Sequence, residues 1–417
     1  MSNKLLEISI IKKAQLNIKD VVVKTSFYQN TRYSELFGCS VFLKREDLQQ
    51  VRSFKIRGAY NKIYSLSNSQ LKKGVVCSSA GNHAQGFALA CKRLNTLGTV
   101  FMPTTTPGQK VNQVKMFGGK FVEVILVGDN YDEANIESLK FTKNNNKVFI
   151  HPFDDYDVIA GQATLFLEII NQHADKLDYL FVPIGGGGLI AGALSVFKQL
   201  SPTTKIIGVE PAGAPSMHVS LKNKKITTLE FIDNFVDGAA VKRVGEISFN
   251  LCNKYLDDIV LTDEGEICQT ILDLYNKDAI VVEPAGAMAI SALSQYKKKI
   301  KNKKVGCIIC GSNNDIARMS EIKERAMLWS NLKHYFILKF PQRAGALKEF
   351  VNEVLGSNHD ITYFQYMKKH QMGNGTATVG IELKNETDLQ PLIERMKSFG
   401  FYQDYLNNKP ELFHFLI

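Results

Sequence analysis

Ser53-Phe54-Lys55-Ile56-Arg57-Gly58-Ala59 is the stretch from which the rest of the chain is read, with Tyr60 behind it. Taken alone it shows a lysine opening a helix after an aromatic residue, and most lysines of folded proteins are solvated surface. Three other stretches change its weight: Ser78-Ser79-Ala80-Gly81-Asn82-His83, Gly185-Gly186-Gly187-Gly188 and Cys310-Gly311-Ser312-Asn313. Each of the four follows a run with strand periodicity and three open a run with helical periodicity, which places each at the carboxyl end of a sheet. Open α/β sheets bind their ligands there.

The periodicity changes repeatedly between two and 3.6 around these stretches. The first forty residues carry little signal. Strands are expected at 41–44, 75–78, 99–102, 121–126, 148–150, 179–184, 205–210, 258–261 and 305–309. Helical runs fall at 82–94, 109–117, 131–143, 156–171, 189–199, 263–276 and 284–296. Strand alternating with helix at this spacing implies βαβ units and parallel sheets. Near Trp329 the texture shifts: 334–340 alternates as a strand, 346–355 is amphipathic, 361–366 and 376–383 are strand-like and 389–399 is helical. The order β-α-β-β-α-β, which takes a last strand beyond that helix, is ferredoxin-like.

At 417 residues the chain has room for two or three domains, each with a core of its own. Its 51 basic against 41 acidic residues give a net charge of +10, but the lysines are scattered and no aromatic residues interleave a basic stripe, so nucleic acid is not expected as a partner. The seven cysteines are odd in number and show no framework spacing, which fits a reducing compartment. Residues 1–13 have no apolar core of signal-peptide length, and no run is long enough to span a bilayer. A cytoplasmic protein without membrane contact is expected. None of the eight histidines shows metal-ligand spacing.

The glycines admit two readings. Gly186-x-Gly188-x-x-Ala191 after a strand, with Glu210 ending the next strand, fits a dinucleotide fingerprint. Four consecutive glycines, however, strip every side chain from the turn and leave backbone N–H groups free to converge on one phosphate at a helix N-terminus. The Ser79-Ala80-Gly81-Asn82-His83 turn offers a second anion site of the same kind, suited to a carboxylate.

Together the four stretches resemble those of the fold-type II pyridoxal-phosphate (PLP) enzymes, most closely the threonine/serine dehydratase branch. The likeness runs over nearly the whole chain. It implies two open parallel-sheet α/β domains: a large PLP-binding domain from 1–49 and 151–328, and a small domain of 50–150 inserted in it. Residues 329–417 resemble the ACT-like regulatory module of biosynthetic threonine dehydratases, a ferredoxin-like α+β domain.

By this resemblance Lys55 forms an imine with the cofactor, Phe54 packs on its ring, and Gly185, Gly186, Gly187, Gly188 and Leu189 hold its phosphate. Asn82 donates to its 3′ oxygen, while Gly238 and Glu283 line the far side. Cys310 faces the pyridine nitrogen, with Ser312 close enough to contest that place. Ser79, Ala80, Gly81, Asn82 and His83 form the substrate-binding turn. Glu210-x-x-x-Ala214 is similar to the cation site of serine racemases, but Ser216 stands where an acid is needed, so no metal is expected.

The implied reaction is elimination and deamination of L-threonine to 2-oxobutanoate and ammonia, the first committed step toward isoleucine. The appended module implies isoleucine or valine as effector, and the likeness implies a homotetramer. Serine racemase or serine dehydratase is the alternative within PLP chemistry, and a nicotinamide-dependent oxidoreductase is the alternative outside it.

Overall fold

Short runs rich in Val, Ile and Phe make the strands, and glycine or small polar residues such as Ser79–Asn82 and Gly185–Gly188 lie where the chain turns into a helix after the strands Val75–Ser78 and Tyr179–Pro183. The computed structural model describes residues 4–173, 175–367, 374–409 and 411–413. It divides into two compact units, Met1–Ala317 and Arg318–Ile417.

In the first unit β1 (Phe27–Gln29) and β2 (Ser40–Arg45) are followed by β3 (Val75–Ser78), β4 (Gly98–Met102), β5 (Val122–Leu126) and β6 (Val148–Phe149). Then come β7 (Tyr179–Pro183), β8 (Lys205–Pro211), β9 (Asp258–Thr262) and β10 (Lys304–Ile309). Two sheets result. The larger has the order β1-β2-β10-β7-β8-β9 and the smaller β5-β4-β3-β6. Every pairing is parallel except β1 with β2. Strands buried on both faces, such as β7 and β10, explain the continuous apolar runs there.

The helix Lys55–Tyr64 joins the two sheets in sequence. It lies against the helix Tyr156–Gln172 so closely that a Cβ on Gly161 would collide with the carbonyl of Arg57, and one on Gly58 would lie 2.7 Å from the carbonyl of Val158. Glycine on both helices is what lets the backbones approach.

Several elements were not legible in the sequence. The helices Ile8–Ile18 and Thr31–Phe37 and strand β1 occupy the segment that carried little signal, and the helices Asn68–Lys73, Ser216–Lys222 and Glu246–Tyr255 also went unread.

The second unit has β11 (Lys333–Pro341), β12 (Asp360–Met367), β13 (Asn374–Glu382) and β14 (Tyr402–Tyr405) in the antiparallel order β12-β13-β11-β14. Phe336, Leu338, Phe340, Val379 and Ile381 from the sheet pack with Phe350, Leu392 and Met396 from the two helical segments. The expected amphipathic helix begins as α-helix at Ala346–Glu349 and continues as a π-helical turn over Phe350–Val354. The division between units falls ahead of residue 329 because the helix Met319–Trp329 goes with the second unit, where Glu324 meets Lys333 and the Tyr335 hydroxyl.

Candidate active site

Three adjacent strands deliver three of the four stretches to one place. β2 leads toward Lys55, β10 into Cys310 and β7 into the polyglycine loop, and the sheet order sets β2, β10 and β7 side by side. The Phe54 N–H donates to the Cys310 carbonyl at 3.1 Å and the Ser312 N–H to the Arg52 carbonyl at 2.9 Å. These bonds clamp the lysine stretch alongside the Cys310 turn. One cleft is lined by Phe54, Lys55, the loop from Gly185 to Leu189, Gly238 and Cys310. Phe153, Pro183, Ala239 and Ala285 complete the lining.

Lys55 donates from Nζ to the Pro152 carbonyl at 2.9 Å, and its ammonium lies 5.3 Å from the centre of the Phe54 ring. Burial pulls its pKa down to about 8, although Cys310 and Glu283 act in the opposite sense. The amine is therefore close to losing its proton at physiological pH. Burial pushes the Cys310 thiol well above its ordinary range, so it is neutral in the cleft. Ser312 turns away, with Oγ 3.4 Å from the Asp47 carbonyl.

The polyglycine loop is built for backbone contact. The helix Gly188–Leu200 starts in it, so its first N–H groups have no intrahelical acceptor and face the cleft with the positive end of the helix dipole. A Cβ on Gly186 would collide with the Phe153 ring. Gly187 has φ of +96°, and a Cβ there would lie 2.5 Å from Ser248 Cβ and 3.0 Å from its Oγ. That buried Ser248 hydroxyl has no hydrogen-bond partner among the described residues. A cradle without side chains, bordered by an unsatisfied hydroxyl, fits a phosphate.

Gly187→Ala tests the cradle. The left-handed backbone costs an alanine about 1–2 kcal/mol and overpacking against Ser248 about 1–3 kcal/mol more. We expect a lower unfolding midpoint in urea, and a gain in midpoint on adding PLP that is smaller than in the parent protein.

The Ser79–His83 turn sits at the end of β3, which pairs with β6 in the smaller sheet. Its side chains do not line the cleft itself. A Cβ on Gly81 would point into open space, and the Ser79 hydroxyl accepts from the Gly81 N–H at 3.2 Å. The imidazole of His83 is buried in the core with Nε2 3.0 Å from the Ile150 carbonyl, and burial with the nearby Lys55 charge pulls its pKa down to about 3. His83 offers the turn a backbone N–H and no imidazole. Asn82 donates from Nδ2 to Glu283 Oε1 at 2.6 Å. The Glu283 carboxyl is enclosed, and burial followed by the Asp237 charge pushes its pKa up to about 7.

Glu210 does not serve as a ribose-binding acid. Its carboxylate is fully buried and accepts from the Met217 N–H at 2.7 Å and the His218 N–H at 2.8 Å. The dinucleotide reading of the glycines loses its acidic partner.

Sequence reasoning missed Pro152 and Phe153, which the end of β6 brings over the glycine loop, and Ser248 beneath it. Only His151-Pro152-Phe153 following a strand could have marked them, and that run looks like any loop.

A family model described as pyridoxal-phosphate dependent enzyme matches residues 18–311. A second, described as the C-terminal regulatory domain of threonine dehydratase, matches residues 324–416. The chain is 54% identical over 412 residues to L-threonine dehydratase biosynthetic IlvA of Halalkalibacterium halodurans, covering 99% of both chains. It is 52% identical over 415 residues to the protein of the same name from Bacillus subtilis, covering 100% of this chain and 98% of the relative. Among solved structures, the processed form of threonine deaminase isoform 2 from Solanum lycopersicum superimposes with a TM-score of 0.72 at 39% identity, covering 78% of this chain and 98% of that one. Maize serine racemase gives the same TM-score, 0.72, at 30% identity, covering 78% of this chain and 98% of that one.

Proposed function

The chain belongs to the pyridoxal-phosphate-dependent enzymes, in the threonine dehydratase branch, and from that premise we propose that it converts L-threonine to 2-oxobutanoate and ammonia. The reaction stands at the first committed step of isoleucine biosynthesis. The observation that carries the reading is a lysine amine in a cleft walled by a side-chain-free anion cradle, on a chain alike over its full length to proteins bearing that name.

When bound, PLP supplies an electron sink for the pair left on Cα as its proton departs. Lys55 holds the cofactor through Nζ and, once free, takes the Cα proton on that atom, for which a lowered pKa suits it. The backbone N–H groups of Gly185 to Leu189 receive the phosphate. Phe54 presents a flat apolar face that keeps water from the reacting atoms. Asn82, Gly238 and Glu283 border the ring. The thiol of Cys310, neutral in the cleft, would face the pyridine nitrogen without the charge needed to keep it protonated. The Ser79–His83 turn would offer the N–H groups of Ala80, Asn82 and His83 and the Ser79 hydroxyl to the substrate carboxylate, the Ser79 and Gly81 N–H groups being already donated within the fold.

The second unit is proposed to sense isoleucine or valine, and the enzyme to act in the cytoplasm as a homotetramer. The experiment is 2-oxobutanoate release from L-threonine, with L-serine alongside, for the whole chain and for a chain ending at Ala317. Threonine should turn over, and isoleucine or valine should alter its half-saturation only in the whole chain. An equal response in both chains would remove the second unit from regulation.

A further inference from the structure

Asn82 sits between two partners that fix which way its amide points. Asn313 donates from Nδ2 to Asn82 Oδ1 at 2.7 Å and also to the Val51 carbonyl at 2.8 Å, so its nitrogen is the end turned to Asn82. On the other side Asn82 Nδ2 donates to Glu283 Oε1 at 2.6 Å. Glu283 is itself held by its N–H donating to the Gly311 carbonyl at 3.2 Å, and it also accepts from the Asn313 backbone. A side-chain amide has one accepting and one donating end, and here each end has one matching partner. Among the described residues one hydrogen on Asn82 Nδ2 remains without an acceptor. The nitrogen lies beside Glu283 Oε1, which an added Cβ on cleft-lining Gly238 would approach to 3.5 Å.

We propose that Asn313 and Glu283 are positioning residues that lock the Asn82 amide with its nitrogen toward the cleft, so that a donor and not an acceptor meets the phenolic oxygen of the cofactor. This rests on the reading of the cleft as the PLP site. Asn313 touches neither cofactor nor substrate in this account. It acts only through Asn82.

The lock can be reversed by chemistry of nearly constant size. Asn313→Asp sets an acceptor against Asn82 Oδ1, and Glu283→Gln supplies a donor on the far side. The double variant therefore favours the flipped amide, satisfied at both ends but with its oxygen toward the cleft. Three purified variants, Asn313→Asp, Glu283→Gln and the double, are compared by thermal unfolding, by equilibrium dialysis of PLP and by the visible absorbance of the bound cofactor. Asn313→Asp should lose thermal stability, and the double variant should recover part of it. The double variant should nevertheless bind PLP about tenfold more weakly than Glu283→Gln alone, the scale of one lost hydrogen bond, with intensity moved from the long-wavelength to the short-wavelength cofactor band. If the double variant regains both stability and affinity, Asn313 is a packing residue and the proposal is wrong. If the parent protein itself takes up no PLP, the reading of the cleft falls first and takes the proposal with it.

Discussion

Lys55→Ala is expected to lower 2-oxobutanoate formation by roughly 10⁴-fold or more, because the same Nζ both holds the cofactor and moves the Cα proton. The Phe54 ring and the polyglycine loop are untouched by the change, so the variant should still take up PLP without a covalent link. Borohydride should fix cofactor to the peptide containing residue 55 in the parent and to no peptide in the variant. The pH dependence follows from the depressed pKa. Only the unprotonated amine attacks an aldehyde, and burial sets its pKa at about 8. Reconstitution of apoprotein with PLP should therefore quicken about tenfold per pH unit on the acid side of that value and level off above it. A rate that kept climbing toward pH 10 would mean that the amine is solvated like an ordinary lysine, and the placement of Lys55 in the cleft would then be wrong.

The parts of this site that could be read in the chain are those whose chemistry is local. A run of glycines, a small-residue turn and a Phe-Lys pair each state a backbone or side-chain requirement within a few residues, and they follow β7, β3 and β2. What could not be read is what the sheet order brings together. Pro152 and Phe153 follow β6, and they meet Lys55 and Gly186 only in the folded chain, far from them in the sequence. Cys310 and Ser312, two residues apart in the sequence, could not be told apart there; in the fold Cys310 lines the cleft while the Ser312 hydroxyl lies 3.4 Å from the Asp47 carbonyl. The helix Ile8–Ile18 escaped for another reason. Ile11, Ala14 and Ile18 are buried at helical spacing, but exposed Ile10 and Leu16 dilute the stripe.

Arg57→Met should be the most destabilising of these changes, though the Arg57 side chain bonds to Glu46, Thr164 and Glu168, none of which lines the cleft. Its guanidinium is fully buried, with Nε 2.8 Å from Glu46 Oε2 and Nη1 2.7 Å from Glu168 Oε1. Lys44, also fully buried, reaches Glu168 Oε2 at 2.6 Å, so two cations and two carboxylates share one dry site. Methionine fills similar space and leaves two carboxylates facing one ammonium. Breaking a buried pair in this way costs about 3–5 kcal/mol, chiefly through the uncompensated charge. Two consequences separate that cause from loss of packing. Burial alone would raise the Glu46 pKa, but Arg57 and then Lys44 hold it below the usual carboxylate value. In the parent its stabilising effect is therefore present above the ordinary carboxylate pKa and lost only as pH falls through the depressed one. In Arg57→Met the opposition weakens and the Glu46 pKa rises, so the variant sheds its excess charge at a higher pH. The gap between variant and parent, read from urea unfolding of the first unit, should then narrow as pH drops from 7 toward 5. Adding Glu168→Gln to Arg57→Met should also recover part of the loss by removing the surplus charge. A gap that stays constant with pH, and a double variant worse than Arg57→Met alone, would instead make Arg57 a packing residue whose charge is incidental. Because it sits two residues after Lys55 in the first turn of the helix, its release should also loosen the lysine, lowering PLP affinity at temperatures where the variant is still folded.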